Sequence, residues 1–337
     1  MADHFWKLLL FVSLAAIAVV AITVGRAREG AVAFTTLVPP SVETEVPPYL
    51  SAASVAAQDA FPSPRVADLD RGSVLVDQQV TASSFHKVGT EPPPPVQAAS
   101  ALIMDLANGQ TYFDVQGDRR WPMASLTKLT AAVEVLRNLD EAATVTLAPE
   151  HFPVADNSTG RTLKMGDTYR VSDLLRTTLV VSSNEAAEAL AGVYGRENFL
   201  AALNGIAREW GAFSTNFSDP TGLSAANQST ARDLAKIAAH IFADYPRVFQ
   251  ISRTPKISIT ELASGKAIPL VNINLFAGRA DFLGGKTGYT DEAAENLLSI
   301  FSYAKRPIGI VVLGTGDRFG ETEKLFAWFK NNFSLNQ

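Results

Sequence analysis

An α+β fold is predicted for this chain of 337 residues: an antiparallel sheet flanked by helices, with a helical lobe inserted between its strands. Three observations predict it, namely a hairpin signature, a long block of helical periodicity, and a closing set of β-like runs with one amphipathic stretch. The hairpin is "ALIMDLANGQTYFDV", in which apolar residues alternate around Asn108-Gly109, a pair suited to a tight two-strand turn. Helical periodicity runs from about residue 121 to 250. Leu126, Leu129, Val133 and Leu136 share one face, and "SDLLRTTLVV", "NEAAEALAGVY", "RENFLAALNGIAREW" and "TARDLAKIAAHIF" follow. The β-like runs are "KISITEL", "KAIPLVNI", "NLLSIFSYA" and "PIGIVVLG", and "ETEKLFAWFKNNF" closes the chain. Strands, helices, strands and a helix predict a sheet completed from both chain ends.

The folded unit is expected to span residues 98–337. Ahead of it, Leu8 to Gly25 is an uncharged run of eighteen residues, long enough for a membrane anchor. Cleavage as a signal peptide after "AVA" (Ala31 to Ala33) is the competing reading. The length of the run and the arginines at 26 and 28 favour a retained anchor within residues 1–33. Residues 34–97 hold ten of the eighteen prolines, so they are expected to form a semi-extended spacer.

Composition excludes several chemistries. A net charge of -5 shows no basic excess, which argues against nucleic acid as a partner. The chain has no cysteine, so disulfides, thiolate metal sites and cysteine nucleophiles are ruled out. Its histidines, His4, His86, His151 and His240, lie far apart, with no metal-ligand spacing, and no G-x-S-x-G elbow is present. Neither a metal nor any other cofactor is expected.

Within "WPMASLTKLTAAVEVL", Ser125 and Lys128 lie three positions apart, on one helical face. A serine hydroxyl needs an adjacent base to act as a nucleophile, and a neutral lysine amine can be that base. An S-x-x-K match alone is as well explained by an ordinary helix start. Two more stretches add weight: "VVSSNEAAEAL" offers Ser182 and Asn184 at a helix junction, and "LGGKTGYTDEA" offers Lys286, Thr287 and Gly288 on a predicted strand. Taken singly, Ser182 reads as a helix cap and Lys286 as a solvated lysine. In this order and setting, the three motifs are hard to produce by accident.

The series S-x-x-K, S-x-N, K-T-G, with "DPTGLS", resembles the serine-type D-alanyl-D-alanine carboxypeptidases, the low-molecular-mass penicillin-binding proteins of bacteria. The likeness covers about residues 98 to 335 and implies a β-lactamase/transpeptidase-like fold. It further implies that Ser125 attacks the terminal D-Ala-D-Ala bond of peptidoglycan stem peptides, with Lys128 as base. The oxyanion would be held by the backbone N–H groups of Ser125 and Tyr289. Ser182 would relay a proton to the leaving amine, Asn184 would hold the substrate amide and orient Lys128, and Lys286 and Thr287 would face the substrate carboxylate. Arg318, expected in the loop before the last helix, is a candidate helper. Asp219 in "DPTGLS" reads as a turn former. β-Lactams would be covalent inhibitors, and the catalytic domain would lie outside the cytoplasmic membrane. Many members carry a further C-terminal domain and anchor; this sequence ends after its closing helix, so its tether is expected to be N-terminal. Ala294 stands where the family often has glycine.

Three rivals share parts of the pattern. A serine β-lactamase of class A would carry an E-x-x-L-N segment, absent between Asn184 and Lys286. A D,D-endopeptidase acting on D-Ala-diaminopimelate crosslinks would use the same motifs. A non-catalytic wall-binding module predicts a damaged motif, and all three are intact.

Overall fold

A computed structural model of the protein describes residues 84–153 and 163–335. The expected membrane segment and most of the spacer lie outside the described residues. Among the described residues, no helix is long and apolar enough to cross a membrane.

The α+β expectation holds. Strands β1 (Phe85–Lys87), β2 (Ala98–Asp105), β3 (Thr111–Val115) and β4 (Trp121–Pro122) lead into the first helix, α1 (Thr127–Asn138). The lobe then comprises β5 (Thr144–Thr146), β6 (Thr168–Arg170), α2 (Val171–Val180), α3 (Asn184–Tyr194), α4 (Arg196–Glu209), β7 (Gln228–Ser229), α5 (Ala231–Asp244) and α6 (Pro246–Ser252). The chain continues through β8 (Lys256–Thr260), β9 (Ala267–Val271), β10 (Phe282–Thr290), β11 (Ala294–Tyr303), β12 (Arg306–Thr315), α7 (Arg318–Asn332) and β13 (Phe333–Leu335).

The central sheet runs β10-β11-β12-β2-β3, every neighbouring pair antiparallel, so both chain ends contribute. Both of its faces are covered. Val311 and Leu313 pack with the lobe, whereas Ile308, Ile310 and Val312 pack with Leu325, Phe326 and Phe329 of α7. That is why "PIGIVVLG" is continuously apolar instead of alternating. Strand β10 is left as an edge of this sheet.

Two expectations need correction. The runs "KISITEL" and "KAIPLVNI" do not join the central sheet; β8 and β9 pair only with each other, as a separate ribbon. The spacer also ends earlier than residue 97. Phe85 is buried, β1 pairs with β13, and the proline-rich segment runs along α7, where Trp328 Nε1 donates to the Glu91 carbonyl at 3.3 Å and Lys324 Nζ to that of Pro95 at 3.0 Å. Prolines cannot donate, but their carbonyls still accept, so a proline-rich strap can dock on a helix.

Candidate active site

The approach to Ser125 is fixed from several directions. Trp121 Nε1 donates to the Ala293 carbonyl at 2.8 Å, Asn296 Nδ2 to that of Pro122 at 2.9 Å, and Met123 N to that of Asn227 at 2.9 Å. Ala124 then adopts φ +48°, a left-handed conformation rare for a residue with a side chain. Ser125 follows in a 3₁₀ turn (Ala124–Leu126) that feeds α1, half-exposed between buried neighbours. Strain of this kind persists only where surrounding contacts enforce it.

Gly222, from "DPTGLS", supplies one such contact. Its φ is +86°, and a Cβ there would lie 1.9 Å from the Ala124 carbonyl oxygen. Gly222→Ala is therefore expected to cost on the order of 3 kcal/mol, from overpacking and a disfavoured backbone together. Denaturant unfolding of the variant checks this; an unchanged midpoint would refute the contact.

Lys128 is fully buried, and its Nζ lies 2.8 Å from Ser125 Oγ, 2.7 Å from Asn184 Oδ1 and 2.7 Å from the Thr221 carbonyl oxygen. Asn184 Oδ1 and the Thr221 carbonyl can only accept, whereas the serine hydroxyl can also donate. A neutral amine satisfies all three contacts, with two N–H groups to the carbonyl oxygens and its lone pair to the Ser125 hydroxyl. Asp219 holds the Thr221 turn as expected: its Oδ1 accepts from Thr221 N, Thr221 Oγ1 and Gly222 N, and its Oδ2 from Ser224 N.

Ser182 lies between α2 and α3 with φ +61°. The helix cap is its neighbour: Ser183 Oγ accepts from Ala186 N at 3.1 Å. Ser182 Oγ is thus available to accept from Lys286 Nζ at 2.7 Å. Asn184 opens α3, two residues after Ser182.

Lys286, Thr287, Gly288 and Tyr289 all lie on β10. A Cβ on Gly288 would come within 3.2 Å of Ser125 N, so the strand passes in contact with the nucleophile's own backbone. Thr287 is buried, whereas Tyr289 points outward and its hydroxyl donates to Asp291 Oδ1 at 3.0 Å. Lys286 is buried too. Burial first, then the charges of Lys128 and Arg318, hold its amine well below the usual lysine value.

Arg318 is the first residue of α7, not a loop residue, and Asp317 caps that helix. Its Nη1 donates to the Gly288 carbonyl at 3.0 Å, and Glu295 lies 3.9 Å from its Nε. Burial lowers its pKa, with Glu295 opposing; a guanidinium nonetheless stays charged. Ser125, Lys128, Ser182, Asn184 and Lys286 therefore lie together beside β10, with a permanent cation at the K-T-G strand. The arrangement can activate a serine and attract an anionic substrate. Sequence reasoning missed the Thr221 carbonyl, since a backbone acceptor has no residue signature.

A family model described as D-alanyl-D-alanine carboxypeptidase matches residues 87–317. The chain is 30% identical over 274 residues to a D-alanyl-D-alanine endopeptidase of Pseudomonas aeruginosa, covering 77% of this chain and 85% of that one. It is 30% identical over 261 residues to the D-alanyl-D-alanine carboxypeptidase DacC of Escherichia coli, covering 73% of this chain and 64% of the relative. It thus spans just under two thirds of that carboxypeptidase's length. A solved D-alanyl-D-alanine carboxypeptidase from Mycobacterium tuberculosis matches with a TM-score of 0.65 at 28% identity, covering 73% of this chain and 95% of that one.

Proposed function

The chain belongs to the D-alanyl-D-alanine carboxypeptidase family, and from that premise we propose that it removes the terminal D-alanine of peptidoglycan stem peptides through an acyl-enzyme on Ser125. The observation that carries this reading is the Lys128 amine, 2.8 Å from Ser125 Oγ and held by two groups that can only accept.

Ser125 Oγ attacks the carbonyl carbon of the penultimate D-alanine while its proton passes to Lys128 Nζ. The oxyanion that forms lies between the Ser125 backbone and β10, where the N–H groups of Ser125 and Tyr289 stabilise it. The C–N bond then breaks, and a proton delivered through Ser182 leaves D-alanine as a free amine. Its carboxylate is held by Thr287, Lys286 and Arg318, a charge-assisted arrangement that suits a small anion. Asn184 positions both Lys128 and the substrate amide. Water, deprotonated by Lys128, hydrolyses the ester and restores Ser125. A β-lactam acylates the same serine, but its leaving nitrogen stays tethered in the opened ring, which explains a long-lived adduct.

The substrate lies outside the cytoplasmic membrane, so the reading places the catalytic unit there too, held by the apolar segment at Leu8 to Gly25. Intact-mass analysis of the purified chain after incubation with benzylpenicillin tests the mechanism. A stable adduct, absent in Ser125→Ala, is expected. Intact drug with no adduct would indicate a wall-binding module, and consumed drug with no adduct a β-lactamase.

A further inference from the structure

Asn227, between the "DPTGLS" turn and β7, takes no part in the mechanism above, and it is fully buried. Its Oδ1 accepts from Ser218 N at 2.8 Å, Ser218 Oγ at 2.7 Å and Asp219 N at 3.1 Å. Its Nδ2 donates to the Asp219 carbonyl at 2.9 Å and to Thr127 Oγ1 at 3.0 Å. The partners settle the orientation of the amide. Backbone N–H groups only donate and the Asp219 carbonyl only accepts, so the oxygen faces Ser218 and the nitrogen faces Thr127.

A polarised chain follows from that orientation. Thr127 Oγ1 lies 2.8 Å from the Ala124 carbonyl, which can only accept, so the one hydroxyl proton points there and a lone pair takes the hydrogen from Asn227. The chain ends on the residue held at φ +48° immediately before the nucleophile. On its other side the same amide fixes Asp219, whose Oδ1 accepts from Thr221 N and Gly222 N at 2.7 Å each. Thr221 in turn presents its carbonyl to Lys128 Nζ at 2.7 Å. The backbone of Asn227 adds a third tie, since its carbonyl accepts from Met123 N at 2.9 Å. One buried residue therefore refers both members of the Ser125–Lys128 contact to a common point.

We propose that Asn227 is a positioning residue for acylation: through Thr127 it sets the Ala124 carbonyl that precedes Ser125, and through Asp219 the Thr221 carbonyl that holds Lys128. The proposal rests on the serine-peptidase reading above. Asn227 makes and breaks no bond; its effect is on the 2.8 Å approach of Lys128 Nζ to Ser125 Oγ. Asn227→Asp isolates that role. The carboxylate keeps an oxygen for the N–H groups of Ser218 and Asp219, but it offers a second acceptor where Thr127 and the Asp219 carbonyl need a donor. The single proton of Thr127 then turns to the carboxylate, and the Ala124 carbonyl is released. Misplacing reacting groups by about 1 Å costs on the order of 10²-fold in rate.

Acylation of the full chain by benzylpenicillin, followed across drug concentrations, separates the dissociation constant of the non-covalent complex from the rate constant of acylation. In Asn227→Asp the rate constant is expected to fall about 10²-fold at an unchanged dissociation constant, measured below the variant's melting temperature. Thr127→Val, which breaks the chain at its second member, should slow acylation in the same way. Thr127→Ser keeps the hydroxyl and should recover most of that rate. These two variants carry the test if Asn227→Asp does not fold. A merely structural amide would lower the melting temperature without moving the rate constant of the folded protein. A folded Asn227→Asp that acylates at the parent's rate therefore overturns the proposal, as does such a Thr127→Val, or a loss confined to the dissociation constant. A parent chain that benzylpenicillin does not acylate instead overturns the serine-peptidase reading itself.

Discussion

Lys128→Met is expected to slow acylation by benzylpenicillin about 10⁴-fold, the upper end of what one positioned base contributes. Methionine keeps most of the stem volume and removes only the amine. The Ser125 hydroxyl is then left without a proton acceptor, since Lys286 is committed to Ser182 and the Thr287 carbonyl. A structural cost accompanies the kinetic one. The buried Thr221 carbonyl loses a donor, and a buried unsatisfied acceptor costs about 1–3 kcal/mol. Rates must therefore be measured on the folded fraction, well below the variant's melting temperature.

The pH profile separates the two effects. Lys286 is held well below the usual lysine value, by burial first and then by Lys128 and Arg318. Acylation requires an amine that can take the Ser125 proton, and the contacts of Lys128 suit a neutral one. In the native protein the rate is therefore expected to rise with pH. Lys128→Met should lose this rise while keeping its fold. A variant with an undiminished acid limb would show that another group is the base.

Much of the site was legible because its chemistry follows short-range spacing. Ser125 and Lys128 meet because i and i+3 share a helical face, and the neutral-amine argument needed only the lack of a nearby histidine. Ser182 was harder. A lone serine at a helix start reads as a cap, and only the structure shows that Ser183 takes that role and leaves Ser182 facing Lys286. The Thr221 carbonyl was invisible because any residue offers the same acceptor; "DPTGLS" signalled a turn, not what the turn would present. Arg318 reads as a loop residue unless Asp317 is taken as the cap of the last helix, a role its side chain fills by accepting from Gly320 N. The β8–β9 ribbon was misassigned for a general reason: alternation shows that a segment is a strand, not which sheet it joins.

The sharpest disagreement between sequence and structure concerns Phe85, and it gives the second large effect. If residues 34–97 were all spacer, Phe85→Ala would change nothing. In the structure, the ring is buried, stacks on Tyr303 at 5.5 Å and meets Tyr112 and Phe329 edge-on at 5.9 and 5.2 Å. Its backbone N–H donates to the Tyr112 hydroxyl at 3.0 Å. Truncating a buried phenylalanine costs about 3–5 kcal/mol. For a folded unit of this size the melting temperature should fall by on the order of 10 °C. Val88→Ala, three residues on and exposed, should shift it by little. The loss has a route to the cleft. Phe329 belongs to α7, the strap from Glu91 to Pro95 lies along the same helix, and its first residue is Arg318, which donates to the Gly288 carbonyl. Loosening the strap frees the far end of the helix that holds the site's permanent cation. Phe85→Ala is accordingly expected to raise KM for an anionic substrate more than it lowers kcat, at temperatures where the variant is still folded. Equal melting curves for Phe85→Ala and the native chain would return residues 84–97 to the spacer.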